Sequence, residues 1–302
     1  MSVKQGGFLV PAISDDQRIR VFYRSFTAPG EFDGMEVAAY VVITDRYIVV
    51  CDTLLCPEDM VQVMQQMRDV LPGRQVLVVN SHADWDHVWG NCYFTGVHAA
   101  PIIAHEHCLM RLRSSAAQLE LRDYQRRYTL FQNVTLTLPT ITFTDIFTIH
   151  GGNLTIELIP ATGHHQDHIA AWIPELRLLL AFDAVEKPFP VIENPAAVPA
   201  MFDTLERLLA IQPRRVLCSH SKSASVTTVE QNLVYLREIE QRARLLTRSP
   251  TSAELEHASE LIHYSFKDAL AAVTTPTEII DRTFYSWAHD NNARCIIQWL
   301  FS

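Results

Sequence analysis

The stretch Val76-Leu77-Val78-Val79-Asn80, running into Ser81-His82-Ala83-Asp84-Trp85-Asp86-His87, decides the reading of this chain. A short apolar strand stops at a dense group of imidazoles and carboxylates. The pattern recurs in sparser form three times: an apolar run over residues 154–160 precedes Gly163-His164, one over 178–182 precedes Asp183, and one over 215–218 precedes Ser219-His220. Imidazole and carboxylate are side chains that divalent metals accept as ligands. Loops at strand ends are where layered α/β folds place their chemistry. The four segments together therefore predict a two-metal site.

Ligand geometry follows from backbone periodicity. In an extended segment, positions i and i+2 point to one side, so His82 and Asp84 are expected to share one ion. Asp86 and His87, past a bend, are expected to turn toward a second ion roughly 3.5–4 Å away. A bridging carboxylate and one further imidazole per ion are still needed. Asp183, His164 and His220 fill those roles. Taken singly, each later residue reads equally well as a surface histidine or turn aspartate. Their shared position beside four apolar strand ends is what favours ligation. His105-Glu106-His107 also has ligand spacing but is expected to begin a helix, where i and i+2 diverge, so it is read as structural. His98, His150, His257, His263 and His289 lack neighbouring partners and are read the same way.

The remainder of the sequence frames this site. With 302 residues and 48% hydrophobic content, the chain can build a substantial core. A formal charge of −9 and the lack of a basic run argue against nucleic-acid binding, and the acidic excess is read as solubility; a small-molecule substrate is the expected partner. The N-terminus lacks the apolar run of a signal peptide, and no stretch is apolar enough to span a membrane, so a cytoplasmic location is expected. The six cysteines form no CxxC pair and fit reduced thiols. Cys218 is read as a buried thiol, with proximity to the metals as the alternative.

Alternation through residues 19–55 predicts a β-meander, and Pro57-Glu58-Asp59 opens a helix with Val61, Met64, Met67 and Val70 on its apolar face. A strand at 101–104, one charged amphipathic helix from Glu106 to about Tyr128, and strands around 141–149 and 154–159 follow. This repetition predicts two packed sheets covered by helices. Residues 186–200 form a proline-rich loop directly after Asp183, expected to be a semi-rigid wall offering Phe189, Val191 and Ile192 to a substrate, or else a packed connection. Helices dominate from Ala200. The apolar tail from Cys295 to Phe301 is expected to pack on the domain or to serve a homodimer contact.

These residues resemble the metallo-β-lactamase superfamily over about 35–222. Its leading HxHxDH motif matches His82, Asp86 and His87, its Gly-His segment Gly163-His164, its bridging aspartate Asp183, and its last strand-ending histidine His220. Asp52, in Val49-Val-Cys-Asp-Thr, resembles the structural aspartate before the family's first helix. The resemblance implies an α/β fold, a four-layer αββα sandwich with additional C-terminal helices. One domain over 1–302 is expected, with a core at about 19–222 and a helical extension at 223–302.

One position departs from the family motif: Asp84 stands where the second histidine is expected. Its carboxylate adds negative charge to the first metal and suits Mn or Fe better than imidazole does, although Zn remains the first expectation. The resemblance implies a dinuclear hydrolase acting through a metal-bound hydroxide on an ester, lactone, thioester, amide or related bond. Asp86 and Asp183 are its expected catalytic residues as well as ligands. A diiron oxidoreductase is the alternative, because the flavo-diiron branch carries a carboxylate at the position of Asp84. His165, His168 and Lys222 adjoin ligands and are expected to contact substrate or support ligands. Trp85, Trp89, Tyr93 and Phe94 line the pocket or belong to the core.

Overall fold

A computed structural model describes residues 7–9, 16–28, 31–274 and 280–302. It is a mixed α/β structure with two sheets, as the sequence leads one to expect. The first sheet has seven strands in chain order: β1 (Gly7–Leu9), β2 (Ile19–Ala28), β3 (Phe32–Ile43), β4 (Tyr47–Cys51), β5 (Gln75–Val79), β6 (Ile102–His105) and β7 (Ile141–Phe143). The second has five, β8 (Phe147–His150), β9 (Thr155–Pro160), β10 (Ile169–Ile173), β11 (Leu178–Leu180) and β12 (Arg215–Leu217), in the order β12-β11-β10-β9-β8. By contacts the chain divides into two compact units, one of Met1–Ser25, Glu36–Pro160 and Asp167–Leu179, the other of Phe26–Met35, Ala161–Gln166 and Leu180–Ser302.

In the first unit the sheet changes character midway. β3 and β4 pair antiparallel, as a meander requires, whereas β4, β5, β6 and β7 run parallel. Parallel neighbours need crossovers, which α1 (Pro57–Gln66) supplies between β4 and β5. The strands are buried accordingly: residues 48–51, 78–79 and 102–104 expose almost nothing. Register matters most where Cys51 pairs with Val79, because it sets Asp52 beside Asn80 and Ser81.

Two helices differ from their sequence reading. The apolar face of α1 is rotated: Met60, Val63, Met64 and Met67 are buried while Val61 is 40% exposed. A buried ion pair between Arg24 Nε and Asp59 Oδ1, 3.0 Å apart, turns Asp59 inward and Val61 outward. The single helix expected from Glu106 to Tyr128 is two, α3 (Glu106–Arg113) and α4 (Ser115–Arg127), following the short α2 (Trp85–Val88). The break is Ser114, whose extended backbone lets its hydroxyl accept from Ala117 N and cap the second helix.

The second unit is mainly helical: α5 (Val198–Ala210), α6 (Thr227–Ala243), α7 (Ser252–Leu255), α8 (Ala258–Leu261), α9 (Phe266–Val273) and α10 (Arg282–Leu300). In the apolar tail, Cys295, Ile296 and Ile297 are buried. No helix among the described residues is long and apolar enough to cross a membrane.

Candidate metal centre

The first unit carries His82, Asp84, Asp86 and His87 just beyond the C-terminal end of β5. Asp84 is the N-cap of α2, and Asp86 and His87 occupy its first turn. His82 and His87 are fully buried, and Asp86 nearly so. His82 Nε2 lies 3.3 Å from Asp84 Oδ2, and His87 Nε2 lies 3.5 Å from Asp86 Oδ2. Each imidazole thus presents Nε2 to a carboxylate while Nδ1 is occupied elsewhere: His82 Nδ1 is 2.9 Å from Ser81 Oγ, and His87 Nδ1 is 2.8 Å from Asp52 Oδ2.

Asp52 is the anchor of this arrangement. Its backbone is left-handed (φ 62°), and its carboxylate accepts from Ser81 N and Ser81 Oγ, both at 2.7 Å. Burial raises its pKa, against the opposing pull of His87 and Ser81. The loop is closed further out by reciprocal amide bonds between Asn80 and Asn91 at 3.0 and 2.9 Å. Thr53 Oγ1 donates to His87 O at 3.1 Å. Gly90 permits this closure, because a Cβ there would sit 1.9 Å from Thr53 O.

Asp84 has a partner that the sequence reading missed. Arg111 on α3 donates from Nη2 to Asp84 Oδ1 at 2.5 Å and from Nη1 to Asp167 Oδ1 at 2.6 Å. Burial lowers the Arg111 pKa, but the two carboxylates outweigh it, and the net direction is upward. Arg111 lies 27 positions from Asp84 on another element, so no local spacing announces it. His168 is fully buried with its ring 4.9 Å from that of His82.

The second unit carries His164, Asp183 and His220. His164 Nε2 and His220 Nε2 lie 3.8 and 3.3 Å from Asp183 Oδ2. His164 Nδ1 is held 3.1 Å from Val191 O. Gly163 has φ 130°, and a Cβ there would meet Met201 Cα at 2.5 Å. Asp183 follows Phe182, whose backbone is left-handed (φ 50°), in a 3-10 turn beyond β11. His165 turns aside to Glu193, 3.1 Å away, and Lys222 is exposed.

Glu186, which the sequence reading passed over, is fully buried in this unit. Tyr285 on α10 donates to its Oε2 at 2.6 Å. Burial, reinforced by Asp183, pushes its pKa up to about 7. Cys218 is a buried thiol whose pKa burial also raises.

The loop after Asp183 is a packed connection at the residues expected to face a substrate. Phe189 and Ile192 expose nothing, and Phe189 stacks on Tyr235 with ring centroids 4.1 Å apart. Asparagines take up its backbone: Asn232 Nδ2 donates to Glu186 O, Asn292 Nδ2 to Pro190 O, and Asn291 Nδ2 to Ile192 O. Trp85 and Trp89 likewise belong to the core, clustered with Tyr124 and Phe131 at centroid distances of 5.0–5.7 Å. His105 accepts from His107 N and caps α3, and His289 lies between Tyr235 Oη and Tyr264 O, so both have structural roles.

The profile described as the Metallo-beta-lactamase superfamily matches residues 33–220, more than half of the chain. Similar solved structures include a metallo-beta-lactamase from Pontibacter korlensis, 17% identical, with a TM-score of 0.58, covering 73% of this chain and 95% of that one. A metallo-beta-lactamase family protein from Thermus thermophilus is 16% identical with a TM-score of 0.61, covering 85% and 90%. The metallo-beta-lactamase FIM-1 from Pseudomonas aeruginosa, in its mono-zinc form, is 13% identical with a TM-score of 0.53, covering 73% and 92%. At these identities the likeness concerns the fold. Among curated proteins no sequence matches.

Proposed function

Because this chain belongs to the metallo-beta-lactamase superfamily, we propose that it is a dinuclear metal-dependent hydrolase acting on an ester, lactone, thioester, amide or related bond. The observation that carries the reading is the donor set. Four imidazoles and three carboxylates match the ligand count of two ions with one bridging group. The first unit supplies His82, Asp84, Asp86 and His87, and the second supplies His164, Asp183 and His220. In His82, His87 and His164 the Nδ1 atom has a partner outside the donor set, which fixes the ring and presents Nε2, as metal-bound histidines require.

Bound there, divalent ions supply Lewis acidity toward an electrophilic carbonyl or ester centre and make water more acidic. Zinc suits the imidazole-rich set, with manganese or iron admitted by the three carboxylates. The chain's own contribution is orientation. Asp52 holds the His87 ring, Val191 O holds the His164 ring, and Asp183, facing both His164 and His220, would serve as the bridging carboxylate. Cys218 does not suit the role of nucleophile, since it is buried with a raised pKa.

The test is metal analysis of purified protein followed by a screen of chromogenic esters, lactones, thioesters and β-lactams. Two ions per chain, with hydrolysis of at least one class that chelation abolishes and metal restores, is the expected result. A fully loaded protein that hydrolyses none of them overturns the reading. Iron as the only productive metal, with reduction of oxygen or nitric oxide, supports the oxidoreductase alternative instead.

A further inference from the structure

Asp84 presents its two oxygens to different partners. Oδ2 faces His82 Nε2 at 3.3 Å, on the side of the metal-ligand candidates, while Oδ1 is taken by Arg111 Nη2 at 2.5 Å. The other arm of the same guanidinium binds Asp167, whose side chain is completely buried; those of Asp84 and Arg111 are 27% and 34% exposed. Asp167 fixes one edge of a planar fork, and the fork fixes Asp84. A lysine ammonium, as a point charge, does not reproduce this planar two-armed grip.

We infer that Arg111 is a positioning residue for the first metal ion: it withholds Oδ1 of Asp84, leaving this carboxylate a one-oxygen ligand through Oδ2. This rests on the metal-binding reading above. It accounts for how an aspartate serves at a position where the family motif has histidine. Histidine offers one donor atom and no charge. An aspartate with one oxygen occupied by an arginine offers one donor atom with its charge largely offset. Without Arg111 the carboxylate is free to rotate and to chelate through both oxygens, which suits a larger, oxygen-preferring ion such as Mn2+ over Zn2+.

The experiment is a double-mutant cycle read by metal affinity. Stepwise Zn2+ and Mn2+ affinities are measured by competition with a chromogenic chelator for the wild type, Arg111→Met, Asp84→His and the pair combined. In the Asp84 background, Arg111→Met is expected to weaken one Zn2+ step on the order of 10–100-fold and to shift the Zn2+ to Mn2+ affinity ratio toward Mn2+. In the Asp84→His background, where no second oxygen remains to be withheld, the same change is expected to alter that step less than about twofold. Equal losses in both backgrounds, or no loss in either, overturn the inference. Arg111→Met leaves Asp167 buried without its cation, so the cycle is repeated with Arg111→Met/Asp167→Asn should the single variant not fold. Coupling in a wild type that binds fewer than two ions defeats the dinuclear reading while upholding the role of Arg111. Two ions without coupling does the reverse.

Discussion

Asp52 and His87, 35 positions apart, meet through a 2.8 Å contact between Oδ2 and Nδ1, and neither side chain is exposed to solvent. The contact exists because β4 and β5 are parallel neighbours whose C-terminal ends are level, with Cys51 opposite Val79. It commits His87 to presenting Nε2. Replacing Asp52 with Asn keeps a residue that tolerates the left-handed backbone and removes the charge. The expected outcome is metal binding weaker by roughly 10–100-fold, confined to one of the two proposed ions. A chelator-competition titration that returns wild-type affinities would show that Asp52 does not orient His87.

Gly163 sets the approach of His164. With φ at 130° and a Cβ placed 2.5 Å from Met201 Cα, Gly163→Ala demands both backbone strain and displacement of α5. Destabilisation of about 1–3 kcal/mol or more is expected, together with loss of the ion assigned to His164. Urea denaturation and metal content measured on the same preparation check the two effects.

Asn292 is expected to matter for stability although it lies far along the chain from the donor residues. Its Oδ1 accepts from Ile192 N and its Nδ2 donates to Pro190 O, both at 2.8 Å in a fully buried setting. Asn292→Ala leaves two buried backbone groups unsatisfied, at about 1–3 kcal/mol each. Arg126→Ala removes an exposed i,i+3 pair with Asp123 and serves as the control, expected within about 0.5 kcal/mol of wild type. Equal melting temperatures for the two variants would refute the clamp.

The metal-stripped protein should lose stability as pH rises through weakly acidic values. Glu186 has a folded-state pKa of about 7, raised by burial and by Asp183 above its ordinary 4.5. A raised pKa means that the folded state holds the proton more tightly, so its stabilising effect is complete below 4.5 and lost on approaching 7. Denaturation midpoints of the apo protein should fall across that window, and Glu186→Gln should flatten the slope. A midpoint that rises over the same range in both proteins would contradict the assignment.

The sequence by itself determined the strand that ends at the HxDxDH segment, the order of the later His and Asp candidates, the family and the two-sheet class. These are local signals: apolar runs of strand length and ligand types at fixed spacing. The helix reading erred where a local cap competed with periodicity, at Ser114, and where a distant ion pair rotated a face, at Asp59 with Arg24. The reading of the 186–200 loop stayed open between a substrate-facing wall and a packed connection because Phe189 and Ile192 look alike whether they face a substrate or a core.

Only the tertiary structure decided which residues stand behind the donors. Asp52 reaches His87 through strand register, Arg111 reaches Asp84 from a helix, and Asn292 and Tyr285 reach the segment after Asp183 from α10, about 100 positions away. No propensity or spacing encodes such pairs. A hydrogen bond between distant positions depends on where whole elements pack, and that depends on the burial of many side chains at once.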